Sequence, residues 1–273
     1  MSGALLAGLL GAELLRAEEV LASDVRPERL AELSARYGIG TIDDNRALVA
    51  AADVVILGVK PQGWSSILEA CGSLLRPTSQ LVSILAGVST GALEAALPEG
   101  ARVVRVMPNA PAMIRAGATA VAPGRSATEE DVALVKGWFE AIGQVVVLEE
   151  RLLDAVTAVS GSGPAYVLLF IEALADAGVN AGLPVATARL LAAQTVYGTA
   201  KLLQESGRHP AELKETITSP GGTTIAGLHQ LEAGGVRAAL FAAVQAATQR
   251  AQDLGGASAS LQKKVRTKEP GGG

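Results

Sequence analysis

The residues that could do chemistry fall in a few glycine- and proline-marked stretches. In Ser219-Pro220-Gly221-Gly222-Thr223-Thr224-Ile225, Pro220 ends the preceding element and the glycine pair lets backbone approach a ligand closely. Thr223 and Thr224 then stand where a helix would begin, with free N–H groups and the positive dipole end facing outward. Such a start can hold a small carboxylate with hydroxyls beside it; an ordinary capped helix after a turn looks the same. Ser160-Gly161-Ser162-Gly163-Pro164-Ala165-Tyr166 reads as a tight turn opening a long apolar helix. Upstream, Val59-Lys60-Pro61, Ala86-Gly87 and Met107-Pro108-Asn109 each follow an apolar strand, and Pro61 forces the chain out of its strand. Other chemistries fit badly. His209 precedes Pro210 as a surface turn would, His229 stands alone in a helical pattern, and neither has a nucleophile or metal-ligand partner at a useful spacing.

These stretches need a sheet and a helical scaffold to position them. Short Val/Ile/Leu-rich segments at 19–23, 53–59, 80–85, 101–106, 118–122 and 144–148 read as strands. Helical patterns lie between several of them, at 27–37, 45–51, 64–75, 90–96 and 129–142. Strand–helix alternation with apolar strands predicts a mostly parallel sheet covered on both faces. After residue 148 strand signals stop. Segments 152–159, 165–181, 184–206, 211–216, 223–233 and 236–254 read as helices punctuated by Gly and Pro. The fold class is therefore α/β: a Rossmann-like, mostly parallel sheet domain over 1–148, then an all-α dimerisation domain over 149–255. The Gly/Ser-rich and then basic end, 256–273, reads as a disordered tail.

Composition narrows the classes further. The 273 residues are 49% hydrophobic and 18% charged, which suits a well-cored globular protein. Aromatics are 3%, so Ala, Leu and Val must build the core. A net charge of −4 implies no broad basic surface and argues against nucleic acid as a partner. Cys71 is the sole cysteine, so no intrachain disulfide forms and a reducing, cytoplasmic setting fits. Residues 1–15 are apolar, but they lack a basic leader and are too short to span a bilayer. No membrane segment is expected. The second domain is Ala/Leu-rich on most helix faces, which predicts a homodimer through that domain.

Taken in order, Val54-Val55-Ile56-Leu57-Gly58-Val59-Lys60-Pro61-Gln62, Val103-Val104-Arg105-Val106-Met107-Pro108-Asn109-Ala110-Pro111, Ser160 to Tyr166 and Ser219 to Ile225 resemble the Δ1-pyrroline-5-carboxylate reductase family, from Met1 to about Leu254. The resemblance implies NAD(P)H-dependent reduction of the cyclic imine to L-proline, the last step of proline synthesis. It implies cofactor contacts at Val59, Lys60, Pro61, Ala86, Met107, Pro108 and Asn109, with Asn45 near the adenosine ribose. It places the substrate carboxylate at Ser219, Gly222 and Thr223, the ring nitrogen at Thr224, and Glu150 near the substrate to balance iminium charge. By itself Asn45 reads as a helix N-cap, Lys60 as a surface lysine, and Glu150 as a solvated acid at a helix start. The family forms interdigitated dimers, assembled in some members into decamers.

The front departs from the family pattern. Met1-Ser2-Gly3-Ala4-Leu5 matches the end of a Gly-rich nucleotide turn, with Ser2 at the third glycine's place. A first strand and two glycines, about 10–15 residues by the usual size of a strand and turn, do not appear. The expectation is an internal methionine recorded as the start, rather than a true truncation. At the second strand end stand Asp24 and Arg26. An acid there can bind a ribose 2′-hydroxyl and an arginine a 2′-phosphate; Arg26 and family habit favour NADP(H) over NAD(H). Two rivals are weighed. A β-hydroxyacid dehydrogenase would carry a catalytic lysine soon after the Gly-rich turn, and Ser160 to Tyr166 has none in the next two turns. A non-catalytic oligomeric remnant would explain the absent glycines.

Overall fold

The computed structural model describes residues 1–60 and 62–266, with side chains to 255. Pro61 and residues 267–273 lie outside the described residues. The chain divides into two compact units, one of residues 1–162 with 246–273, the other of 163–245.

The first unit is built on a five-stranded sheet in sequence order: β3 (Val54–Leu57), β4 (Gln80–Ser83), β5 (Arg102–Met107), β6 (Gly117–Pro123) and β7 (Gly143–Val147). All pairs are parallel except β5 with β6. Side chains alternate in burial partners because successive residues point to opposite faces. Val55, Leu57, Leu81 and Val103 pack beneath Val49, Trp64, Leu68, Cys71 and Leu93, carried by α3 (Asn45–Ala51), α4 (Trp64–Cys71) and α5 (Thr90–Glu94). Val82, Val104, Val106 and Val121 pack on the other face against Leu5, Leu9, Val135 and Phe139, carried by α1 (Ser2–Gly11) and α6 (Glu129–Glu140). Both faces are thus covered, as the alternation predicts. The strand order leaves the carboxyl ends of β3, β4 and β5 on one edge.

β1 (Leu21–Ser23) and β2 (Gly40–Ile42) flank α2 (Pro27–Tyr37) and form a separate two-stranded parallel sheet. β2 is absent from the sequence-based reading. Three residues around Gly40 are too few to show a two-residue period.

By packing, the chain divides after residue 162. A 3-10 turn (Glu150–Leu152), α7 (Leu153–Val156) and a π turn (Thr157–Gly161) stay with the sheet, where Leu153 seats on Ala120 and Ala122. The last helix also runs on: residues 256–266 continue it where a disordered tail was expected. The glycines at 255 and 256 cost helix propensity, about 1 kcal/mol each, without ending it.

The second unit holds α8 (Gly163–Asn180), α9 (Val185–Ser206), α10 (Pro210–Thr216), α11 (Thr223–Ala233) and the start of α12 (Val236–Arg266). Its small core is a contact of α8 with α9 through Ile171, Ala175, Ala188 and Ala192. The remaining apolar surface is largely exposed: Val167, Leu168, Leu169, Phe170, Leu190, Leu191 and Tyr197 among others. The stretch Glu150–Asn180 is long and apolar enough to cross a membrane by length and composition, with 11% of its most apolar window buried; the expectation of no such segment considered the N-terminal end alone. The π turn interrupts that stretch.

Exposed leucines and a phenylalanine in one run are costly in water. Sedimentation velocity in detergent-free buffer should return a dimer or a multiple of it at micromolar concentration. A soluble monomer, or a protein recovered only in detergent, contradicts self-association as what covers this surface.

Candidate active site

In the first unit Ser2, Val59, Lys60, Ala86, Met107, Pro108 and Asn109 lie toward the carboxyl edge of the five-stranded sheet, and Pro61 lies outside the described residues. Ser2 opens α1, and its Oγ sits against Gly58 at the end of β3, where any Cβ on Gly58 would collide with it. A side chain there would force the Ser2 hydroxyl to turn away. The contact sets the N-terminus of α1, uncapped by any side chain and with the positive dipole end, beside the Gly58-Val59-Lys60 turn. A dinucleotide fold uses such a site for pyrophosphate, so the chain's residues fit that group. Val59 and Lys60 are exposed, and Lys60 carbonyl accepts from Gly63 N–H. Ala86 is exposed at the end of β4, and Met107 closes β5 half-buried with Pro108 and Asn109 buried behind it.

The end of β1 carries a polar cluster. Ser23 Oγ donates to Asn45 Oδ1 at 2.8 Å. Arg26 N–H and Nε donate to Asp24 Oδ1 at 3.0 and 3.2 Å. That hydrogen bond from the Arg26 side chain holds the Asp24 carboxyl below its ordinary range. The Asp24 carboxylate is therefore already engaged, while the Arg26 side chain is two-thirds exposed. Asn45 does not cap its helix; Asp44 does, accepting from Arg46 N–H. Arg29 is a residue the sequence reading missed. Its guanidinium donates to Glu32, and Nη2 lies 3.2 Å from where a side chain on Gly3 would start, over the first turn of α1. The one available signal was its place three residues after Arg26, one helical turn on.

Glu150 is the clearest departure. Its Oε1 accepts from Thr90 N–H at 2.7 Å and its Oε2 from Thr90 Oγ1 at 2.6 Å. Arg105 Nη1 reaches Oε1 at 3.1 Å, and the Arg105 side chain is buried. The carboxylate thus neutralises a buried guanidinium and ties the start of α5 to β5. A solvated acid does not describe it. Asn109 is also engaged within the protein. Its Oδ1 accepts from Ala118 N–H at 2.9 Å, and its Nδ2 donates to Ser160 carbonyl at 3.0 Å.

In the second unit, the turn before α11 places the other predicted group. Ser219 carbonyl accepts from Gly222 N–H, and Ser219 Oγ lies where a Gly222 side chain would be. Gly222 caps the helix without a side chain, so no residue of the turn occupies the N–H groups of the first turn through a capping side chain. Thr223 is exposed and Thr224 half-buried, the two adjacent hydroxyls of this helix start. Ser219, Gly222, Thr223 and Thr224 are therefore brought together as the spacing implies.

A doubly covered parallel sheet with a helix N-terminus at its carboxyl edge, followed by a helical unit, defines a Rossmann-like nucleotide-binding protein with an appended helical domain. Residues 1–87 match a family described as NADP oxidoreductase, coenzyme F420-dependent, and residues 150–254 match pyrroline-5-carboxylate reductase dimerisation. A pyrroline-5-carboxylate reductase of Methanosarcina acetivorans is 46% identical over 255 residues, covering 93% of this chain and 94% of that one. Pyrroline-5-carboxylate reductase 3 of Mus musculus is 40% identical, covering 93% and 92%. The solved pyrroline-5-carboxylate reductase of Coxiella burnetii superposes with a TM-score of 0.88 at 33% identity, covering 93% and 94%. The pyrroline carboxylate reductase of Plasmodium falciparum, solved with NADP bound, superposes with a TM-score of 0.82 at 30% identity, covering 93% and 94%. The chain belongs to the pyrroline-5-carboxylate reductase family.

Removing one member of a buried ion pair leaves the other uncompensated, at about 3–5 kcal/mol. Glu150→Ala should lower the unfolding free energy by about 3 kcal/mol in urea titration. Unchanged stability with a selective rise in KM for substrate would instead restore Glu150 to the substrate site.

Proposed function

We propose that this chain reduces Δ1-pyrroline-5-carboxylate to L-proline with NADPH, closing proline biosynthesis. The observation that carries the proposal is the 40–46% identity to proteins named for that reaction, spread over 93% of the chain and so over both units. A bound reduced nicotinamide supplies the hydride for the imine carbon. The chain's own residues bind and orient. On this reading Ser2 and the first turn of α1 receive the pyrophosphate, and Val59, Lys60, Ala86, Met107 and Pro108 line the cofactor's path. Pro61, which follows Lys60 in sequence, is a further proposed contact and lies outside the described residues. Ser219, Gly222 and Thr223 hold the substrate carboxylate through hydroxyls and the N–H groups of the α11 start. Thr224 is the catalytic residue. Among the described residues no base is hydrogen-bonded to its hydroxyl, and it acts as donor and acceptor to the ring nitrogen as that nitrogen becomes an amine. Glu150 is left out of this set, since Arg105 already claims its charge.

NADPH is favoured over NADH by charge at the end of β1. The ribose-binding acid, Asp24, is engaged by Arg26, and Arg26 and Arg29 present guanidinium groups suited to a 2′-phosphate. The working form is a homodimer through the helical unit, able to build a decamer, in the cytoplasm.

Thr224→Ala should lower kcat/KM for the imine by about 100-fold, within the range for a lost positioned proton partner, with NADPH affinity unchanged. Equal turnover removes Thr224 from the mechanism. Arg26→Ala should raise the KM for NADPH by about 10-fold, the scale of one charge-assisted phosphate contact, while sparing NADH. If both cofactors weaken together, Arg26 does not read the 2′-phosphate.

A further inference from the structure

The π turn at Thr157–Gly161 closes with Ser162 N–H donating to Thr157 carbonyl at 2.8 Å. It is braced at both ends by hydroxyls that bond back to carbonyls one turn earlier, Thr157 Oγ1 to Leu153 at 2.8 Å and Ser160 Oγ to Val156 at 3.1 Å. Such back-bonding bends a helix, and π turns concentrate at functional sites. The Ser160 carbonyl has a particular difficulty. In a regular helix it would accept from the residue four positions on, which is Pro164, and proline has no N–H. Asn109 supplies the missing donor: Nδ2 reaches Ser160 carbonyl at 3.0 Å. The other end of the same amide is held by Ala118 N–H at the start of β6, and Asn109 is buried. Next to this bond, Met107 Cε lies 2.9 Å from where a Gly161 side chain would begin. The end of β5 and the π turn therefore share one contact surface.

We infer that Asn109 is a positioning residue. It stands in for the N–H that Pro164 lacks, fixing the π turn and, through it, the Met107–Gly161 surface at the carboxyl end of β5. The inference rests on the proposed function in one respect: that surface is where a nicotinamide would lie. Asn109 does its work on the chain itself rather than on the cofactor. Its amide cannot be replaced by a group that only accepts, because one end must donate and the other must accept.

Asn109→Asp separates donation from shape. The carboxylate still accepts from Ala118 N–H but faces the Ser160 carbonyl with no proton. The protonated acid can donate to it. The hydrogen bond is therefore present below the carboxyl's pKa and lost as pH rises through it. We expect kcat to fall by about 10- to 100-fold at alkaline pH, the cost of a small misplacement, and to recover as pH falls, on a limb the unsubstituted protein lacks. The affinity for NADPH, read by fluorescence of the bound nicotinamide, should change less than kcat. The deficit in Tm relative to the unsubstituted protein should shrink with the same pH dependence. Asn109→Ala should show the loss without the acid recovery. If Asn109→Ala does not fold, adding Pro164→Ala returns a backbone N–H beside Ser160 and should restore folding. Equal losses in the Asp and Ala variants at every pH, or no loss in either, overturn the inference, as does failure of Pro164→Ala to rescue. The Tm measurement needs no substrate. An unsubstituted protein inactive on pyrroline-5-carboxylate would count against the proposed reaction, and a pH-dependent Tm deficit would still support the role of Asn109.

Discussion

A parallel strand has no turn to its neighbour, so each strand must return through a crossover that lies across a face of the sheet. That constraint organises the first unit. Val55, Leu57, Leu81 and Val103 bury toward one helical layer, and Val82, Val104 and Val106 toward the other. Because β3, β4 and β5 all run the same way, the turns after Leu57, Ser83 and Met107 emerge on one edge. Strand direction alone therefore brings Val59, Ala86 and Met107, the proposed cofactor contacts, to that edge. The Gly58–Ser2 contact then brings a helix start to the same edge.

Much of this was legible in the amino-acid order. Helices 27–37, 45–51 and 223–233 fall where the reading put them; Pro27 and Gly222 mark starts that local chemistry enforces, while the cap of 45–51 is Asp44 rather than Asn45. The apolar strands at 54–57, 80–83 and 102–107 were legible for the same local reason. What was not legible depends on distant partners. Glu150 looks like a free acid until Arg105, 45 residues earlier, is folded beneath it. Asn109 looks like a turn residue until Ser160, 51 residues later, presents a carbonyl without a donor. Residues 150–161 look helical in either domain; only the seating of Leu153 on Ala120 and Ala122 assigns them to the sheet. The glycines at 255 and 256 look like a break, and the helix passes through them.

The two units divide the proposed chemistry between them. The first supplies a rigid edge for a dinucleotide, with buried charge at Arg105 spent on holding α5 and the 150–152 turn together. The second supplies a helix start with two hydroxyls and no competing capping side chain, on a scaffold whose apolar helices require a partner surface. Its own core is a thin alanine seam, so its stability depends on what covers Leu168, Leu169 and Phe170. On the proposed function, association and catalysis are thereby linked, since the proposed carboxylate site lies in the unit that association must stabilise.

The central claim is hydride delivery from a nicotinamide to an imine carbon. It is tested most directly by incubating the purified protein with Δ1-pyrroline-5-carboxylate and NADPH deuterated at the nicotinamide C4. The account predicts L-proline carrying one deuterium on the former imine carbon, formed in step with NADP. Unlabelled proline, or cofactor oxidation without proline, contradicts it.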